Sequence, residues 1–184
     1  MTRLRLRPVL GAVVIPLAAC ATRDRPADHA DRPAADSPVA AAPADTTVTT
    51  TGWDVTPRSA GPVRFGVTPA DGVDGCHYTV PAGAPTGLRF MAESGRVVRV
   101  DVDSAGPATD RGARAGMTEA EIQRLYPDGL RAMPHKYLSA GHYLVFTPPG
   151  ADSGFRLVFE TDGRRVTTYR AGIEPAVEYV EGCQ

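Results

Sequence analysis

Residues 157–169 read Leu157-Val158-Phe159-Glu160-Thr161-Asp162-Gly163-Arg164-Arg165-Val166-Thr167-Thr168-Tyr169. Two apolar-polar alternating runs flank Asp162-Gly163, a dipeptide that favours two-residue turns because both of its positions tolerate positive φ. The reading is a β-hairpin. Pairing Thr161 with Arg164 sets Phe159 opposite Val166 and Leu157 opposite Thr168, with Glu160 facing Arg165 on the other side. A second stretch has the same form: Arg89-Phe90-Met91-Ala92-Glu93 turns at Ser94-Gly95 into Arg96-Val97-Val98-Arg99-Val100-Asp101-Val102. The same count sets Met91 against Val98. Met91, Val98, Phe159 and Val166 are therefore expected in the core, with Val100 and Val102 continuing that face.

Each hairpin is preceded by a matching segment, Phe65-Gly66-Val67-Thr68-Pro69-Ala70-Asp71 before the first and Ala115-Gly116-Met117-Thr118-Glu119-Ala120-Glu121 before the second. In the later copy Thr118 suits the N-cap and Glu121 the N3 position of a capping box, while Met117 and Ile122 suit a hydrophobic staple. Ile122, Leu125 and Tyr126 continue at helical spacing until Pro127-Asp128-Gly129, which predicts roughly three turns. In the earlier copy Pro69 and Asp71 suit N1 and N3, but Gly72 cuts the helix to one short turn. Further strands are predicted at 76–80, 143–147 and 176–180. The fold class is α+β: short helices packed on antiparallel sheet, in two degenerate helix-hairpin half-repeats within a single domain, 52–184.

The first nineteen residues have Arg3, Arg5 and Arg7 followed by an uncharged apolar run, the n-region and h-region of an export signal. That run is roughly 12 residues, short of the ~20 a spanning helix needs. Leu17-Ala18-Ala19-Cys20 then resembles the lipobox of bacterial lipoproteins. The resemblance implies cleavage before Cys20 and acylation of its thiol, and with Ala21 rather than Asp next, delivery to the outer membrane, facing the periplasm or exposed on the surface. Residues 20–51, rich in Ala, Pro, Asp and Thr, cannot bury enough apolar surface to offset ordering entropy, and are read as a disordered tether.

In an oxidising compartment the two other cysteines, Cys76 and Cys183, form an even set. A disulfide between them closes a loop of roughly 108 residues, for which chain entropy contributes about 4–5 kcal/mol. Two buried free thiols are the rival reading.

From Gly61 to Arg170, the pattern of a glycine, an apolar residue and Thr opening a helix, followed by antiparallel hairpins, looks like the β-lactamase inhibitory protein architecture. It is also similar to small outer-membrane assembly lipoproteins. The shortened first helix and the insert of about 18 residues after the second depart from both, so no inhibitory activity or interface residue is carried over.

The chain carries 20 basic and 21 acidic side chains, net −1, a balance that argues against nucleic acid. His77, His135 and His142, with Ser139 nearby, form no G-x-S-x-G elbow or H-E-x-x-H motif. Asp101, Asp103 and Asp110 do not follow the EF-hand spacing and are read as a solvated strand face. No enzyme activity, metal or cofactor is expected. The most promising surface is residues 133–143, where His135, Lys136, Tyr137, His142 and Tyr143 gather amphipathic rings beside the only lysine. The bland alternative has Tyr137 and Leu138 covering the sheet and the histidines solvated. The expected partners are a bilayer, through acylated Cys20, and an envelope protein. Inhibition of a periplasmic enzyme, or glycan binding through Trp53, Tyr137 and Tyr143, are the alternatives.

Overall fold

A computed structural model describes residues 52–70 and 75–183. The expected signal segment, Cys20, the tether to residue 51, and Asp71-Gly72 lie outside the described residues.

The described chain builds two antiparallel sheets and one helix. Strands β1 (Val55–Thr56), β2 (Ser59–Ala60) and β3 (Val63–Arg64) form a small meander. The larger sheet holds β4 (Cys76–Thr79), β5 (Leu88–Glu93), β6 (Arg96–Val102), β7 (Leu130–Pro134), β8 (His142–Phe146), β9 (Phe155–Thr161) and β10 (Val166–Ile173). Its order is β4-β5-β6-β10-β9-β8-β7, so both hairpins belong to one sheet and meet through their second strands, with Tyr169 opposite Val102. The fold is α+β, but mostly sheet.

Both turns form, and bulges change the expected registers. Ser94 and Gly95 adopt φ of 51° and 72°, and Glu93 pairs with Arg96. Beyond them, Ala92 pairs with Val97 and Met91 with Arg99, leaving Val98 as an extra residue. The core face therefore runs through Val97, Val100 and Val102, while Val98 is half-buried and the buried Met91 belongs to the opposite face. At the second turn Asp162 Oδ1 accepts from the amides of Arg164 and Arg165, both at 2.8 Å, which widens the loop so that Thr161 pairs with Val166. A second irregularity at Thr167 then sets Phe159 opposite Tyr169, Leu157 opposite Ala171 and Glu160 opposite Thr168. Phe159 and Val166 are nonetheless both buried, as expected.

Helix α1 (Glu119–Leu125) spans two turns rather than three. Its capping box is complete: the Glu121 amide donates to Thr118 Oγ1, and the Thr118 amide donates to Glu121 Oε2 at 2.7 Å. Ile122 and Tyr126 enter the main core, where the Tyr126 ring meets Phe146 at 4.7 Å and Phe159 at 5.5 Å. Val55, Ala60 and Val63 of the small sheet, and Phe65 just after it, pack into the same core. The two matching segments dock on their hairpins by similar bonds. The Gly66 amide donates to Val97 O and the Val97 amide to Thr68 O, while the Gly116 amide donates to Val166 O and the Val166 amide to Met117 O.

Candidate binding surface

Alternation along β6 puts Val100 and Val102 in the main core and sends Arg99 and Asp101 to the other face of the sheet. That face is not open to water. Residues 174–183, expected to include a strand, instead make a 3-10 turn (Ala176–Glu178) and cross the sheet as a strap. The strap's carbonyls are met by side chains rather than by a neighbouring strand. Arg99 Nη1 donates to Ala176 O at 3.1 Å and to Tyr179 O at 2.6 Å, and Arg170 Nε donates to Val177 O at 2.7 Å. Val177 is fully buried with Tyr143 and Val158 in a second, smaller core. Cys183 is disulfide-bonded to Cys76 on β4. The expected solvated aspartate face is thus corrected at Asp101, whose Oδ1 receives Arg99 Nε at 2.8 Å beneath the strap.

The buried charges form a chain of pairs. Glu160 takes His135 Nε2 at 2.8 Å through one oxygen and Arg170 Nη1 at 3.2 Å through the other. Arg170 also lies over the Tyr143 ring at 5.5 Å. Burial, then the neighbouring Arg99, pulls the Arg170 pKa downward, with Glu160 and Asp101 opposing. Buried guanidinium groups of this kind are tolerated because their hydrogen bonds are met, and truncating one leaves its partners desolvated and unpaired.

Of the five sequence-predicted surface residues, four come together and one points elsewhere. His135 is tucked in, its side chain 3% exposed, and stacks on Tyr143 at 4.5 Å. Tyr143 is itself 7% exposed. These two are foundations rather than contact groups, a correction that follows from Glu160 holding the imidazole inward. His135 Nδ1 also accepts from the amides of Tyr137 and Leu138, fixing the tight loop beyond β7. That loop turns Tyr137 outward, 60% exposed, with Lys136 Nζ 5.0 Å from its ring centroid. Leu138 and Met133 are each 47% exposed, so Tyr137 and Leu138 do not cover the sheet. His142 faces the helix instead: its Nδ1 is 2.8 Å from Glu119 Oε1, which also accepts from Thr161 Oγ1.

Trp53, one of the three rings considered for stacking on a sugar, packs against the main core, 6.3 Å from Phe90. Arg99, Arg170, Glu160 and the strap were not singled out by sequence reasoning. A signal for them existed in Cys183: a disulfide to Cys76 obliges the intervening C-terminal segment to return across the sheet. Clefts open where the strap meets the sheet, one of about 210 Å³ lined by Met133, Tyr143, Val145, Val158 and Val180 among others, and one of about 440 Å³ between Lys136, Tyr179 and the disulfide. Of the exposed apolar side chains, Tyr179 on the strap and Met133 line these clefts near the Lys136–Glu181 ion pair, while Tyr137 and Leu138 stand on the loop after Lys136. Among the described residues no helix is long and apolar enough to cross a membrane, and no cluster of His, Cys, Asp or Glu is arranged to hold a metal. Comparison with family models, curated proteins and solved structures finds no match to this chain.

Proposed function

We propose that the chain is a membrane-anchored lipoprotein of a bacterial envelope, held by acylated Cys20, whose α+β domain binds another envelope protein. The anchor rests on the charged, apolar and Leu17-Ala18-Ala19-Cys20 segments in succession. The observation that carries the binding reading is the exposure of Met133 and Tyr179 at the clefts beside the strap and of Tyr137 and Leu138 on the loop that follows cleft-lining Lys136. Fully burying a side chain of this size contributes about 1.5–3 kcal/mol. The part of each that remains exposed leaves on the order of 1 kcal/mol to be gained against an apolar partner. Tyr137 presents an aromatic face with a polar tip next to a cation, a combination enriched at protein interfaces. Its seat is firm, because His135, Glu160 and Tyr143 pin the loop from below.

The half-repeat reading is supported by the like docking of Gly66–Thr68 on Val97 and of Gly116–Met117 on Val166. On that reading the first unit retains the entry turn at Gly66–Thr68. The relation to helix-plus-sheet assembly lipoproteins remains part of this proposal.

The test is cross-linking and affinity recovery from intact producing cells, comparing the full chain with Cys20→Ala and with Tyr137→Ala/Leu138→Ser. One envelope protein recovered in near-equal amounts, and lost with the loop variant, is the expected result. Equal recovery with the loop variant contradicts the surface assignment. Incorporation of labelled fatty acid into the full chain that persists in Cys20→Ala contradicts the anchor.

A further inference from the structure

Three clefts open along the strap, and one residue lines all of them. The first lies between Cys76, Glu93, Lys136 and the end of the strap; the second is floored by Arg89, Arg99, Asp101, Glu160 and Arg170; the third by Met133, Tyr143, Val145 and Val158. Val180 borders each. The strap is held unevenly on its two sides. Up to Tyr179 it is gripped through the carbonyls of Ala176, Val177 and Tyr179 and by the buried Val177 side chain. Past Tyr179, the described contacts to the rest of the fold are the packing of half-buried Val180 against the second core, the Lys136–Glu181 pair, both partners roughly half exposed, the approach of Gly182 to Tyr78, and the disulfide. An exposed ion pair fixes a segment weakly. With no backbone hydrogen bond from residues 180–183 to the sheet among the described residues, the position of Val180 rests on its partial packing and on Cys183.

That disulfide is reachable. Cys76 is exposed on β4, an edge strand that pairs only with β5, and both cysteines border the first cleft beside Lys136. The cleft sets Lys136 beside Glu93 and Glu181, so approach of a thiolate, the species that attacks disulfides, rests on the exposure of Cys76 rather than on charge. We propose that Cys76–Cys183 is a site of thiol–disulfide exchange for a dithiol, and that opening it frees the strap from Val180 onward and joins the three clefts into one trough. One thiolate of the dithiol attacks a cystine sulfur, forming a mixed disulfide and releasing the other cysteine as thiolate. The second thiol of the dithiol then closes its own disulfide and releases the first cysteine. Two electrons and two protons pass to the protein, giving two free thiols, and the dithiol is oxidised. The trough widens the surface assigned above to protein binding, so its use as a switch rests on that reading, whereas the latch itself does not.

The experiment uses the full chain in detergent micelles, oxidised, treated with dithiothreitol without denaturant, and as Cys76→Ser/Cys183→Ser. Amide exchange read by mass spectrometry is expected to speed at least about 10-fold at 180–183 in the reduced and serine forms, with β5, β6, β9 and β10 still protected. Unchanged exchange at 180–183 overturns the proposal, as does loss of protection throughout the sheet, which makes the disulfide a staple of the whole fold. Reduction that proceeds only after denaturant is added overturns it as well. Cross-linking yield from Tyr137, measured in both redox states, separates the two readings. Equal yield in the two states discards the switch while leaving the binding surface, and no specific yield in either discards that surface while leaving the latch.

Discussion

Replacing Arg99 by Met tests how the strap is secured. Arg99 is 4% exposed and its guanidinium makes four hydrogen bonds, two to Asp101 Oδ1 at 2.8 and 2.5 Å and two to the carbonyls of Ala176 and Tyr179. Methionine keeps most of the stem's packing and removes all four donors. It leaves a largely buried carboxylate and two carbonyls to find other partners. Breaking a buried ion pair by removing one member costs about 3–5 kcal/mol. Asp101 retains some access to water, its side chain 18% exposed, so the low end applies, about 3 kcal/mol. At a urea slope of about 2 kcal/mol/M this moves the unfolding midpoint down by roughly 1.5 M. Trp53 is the only tryptophan and packs 6.3 Å from Phe90 in the main core, so its fluorescence reports the global transition. Arg89→Met is the control, since Arg89 is exposed and its contact is the face of Tyr78 at 4.9 Å; it should cost no more than about 1 kcal/mol. Adding Asp101→Asn to Arg99→Met should recover part of the loss by removing the stranded charge. A midpoint for Arg99→Met within about 0.3 M of the parent, under 1 kcal/mol at that slope, would refute the buried-pair reasoning.

Thr118→Ala removes the N-cap of α1 and one arm of its capping box, and should lower stability by about 1 kcal/mol, measured by the same urea titration. Gly163 has φ of +91° and a Cβ there would collide with the Ala140 carbonyl, so Gly163→Ala should cost more than about 1 kcal/mol and loosen amide protection in the 135–141 loop. Burial pushes the Tyr126 hydroxyl up to about 12 despite its bond to Thr109, and burial also raises Tyr169. A raised folded-state pKa contributes stability that is present below the unfolded value of 10.0 and lost as pH climbs through the folded one. Thermal stability should fall steeply above pH 10, and more gently in Tyr126→Phe. At the acid end, burial raises Glu119, but hydrogen bonds from Thr161 and His142 outweigh it and its pKa is lowered overall. That contribution is present above the ordinary value of 4.5 and lost as pH falls below it, so Glu119→Gln should flatten the acid limb of the stability profile.

Local signals in the chain mapped onto structure where a single residue type decides the geometry. Ser94-Gly95 turned as two residues with positive φ, and Thr118 and Glu121 closed their capping box. The disulfide followed from counting cysteines in a chain whose first residues read as an export signal. Register was less legible, because a bulge adds one residue and shifts the alternation beyond it. Val98 and Thr167 carry no side-chain signature of being extra, and the alternation continues plausibly through either. Asp162 also acted through its side chain, accepting two amides and making a loop wider than Asp-Gly alone implies. At the surface, composition drew attention to residues 133–143 while misassigning which rings face out. His135 carries two ring nitrogens and here both are engaged inside, by Glu160 and by two backbone amides, an outcome set by a residue 25 positions away. The strap was missed for a related reason: Arg99 and Arg170 supply hydrogen-bond donors that a strand reading assigns to a neighbouring backbone.

The binding surface is tested most directly by placing a photo-activated cross-linking side chain at position 137 in the full chain, in living cells. The same group at Val80, 59% exposed on another part of the domain, and at exposed Thr167 serves as comparison. A single discrete adduct from position 137, absent from the other two and weakened by Met133→Ser, is the predicted result. Adducts of equal pattern at all three positions, or none at 137 while Val80 yields one, would contradict the assignment of this surface.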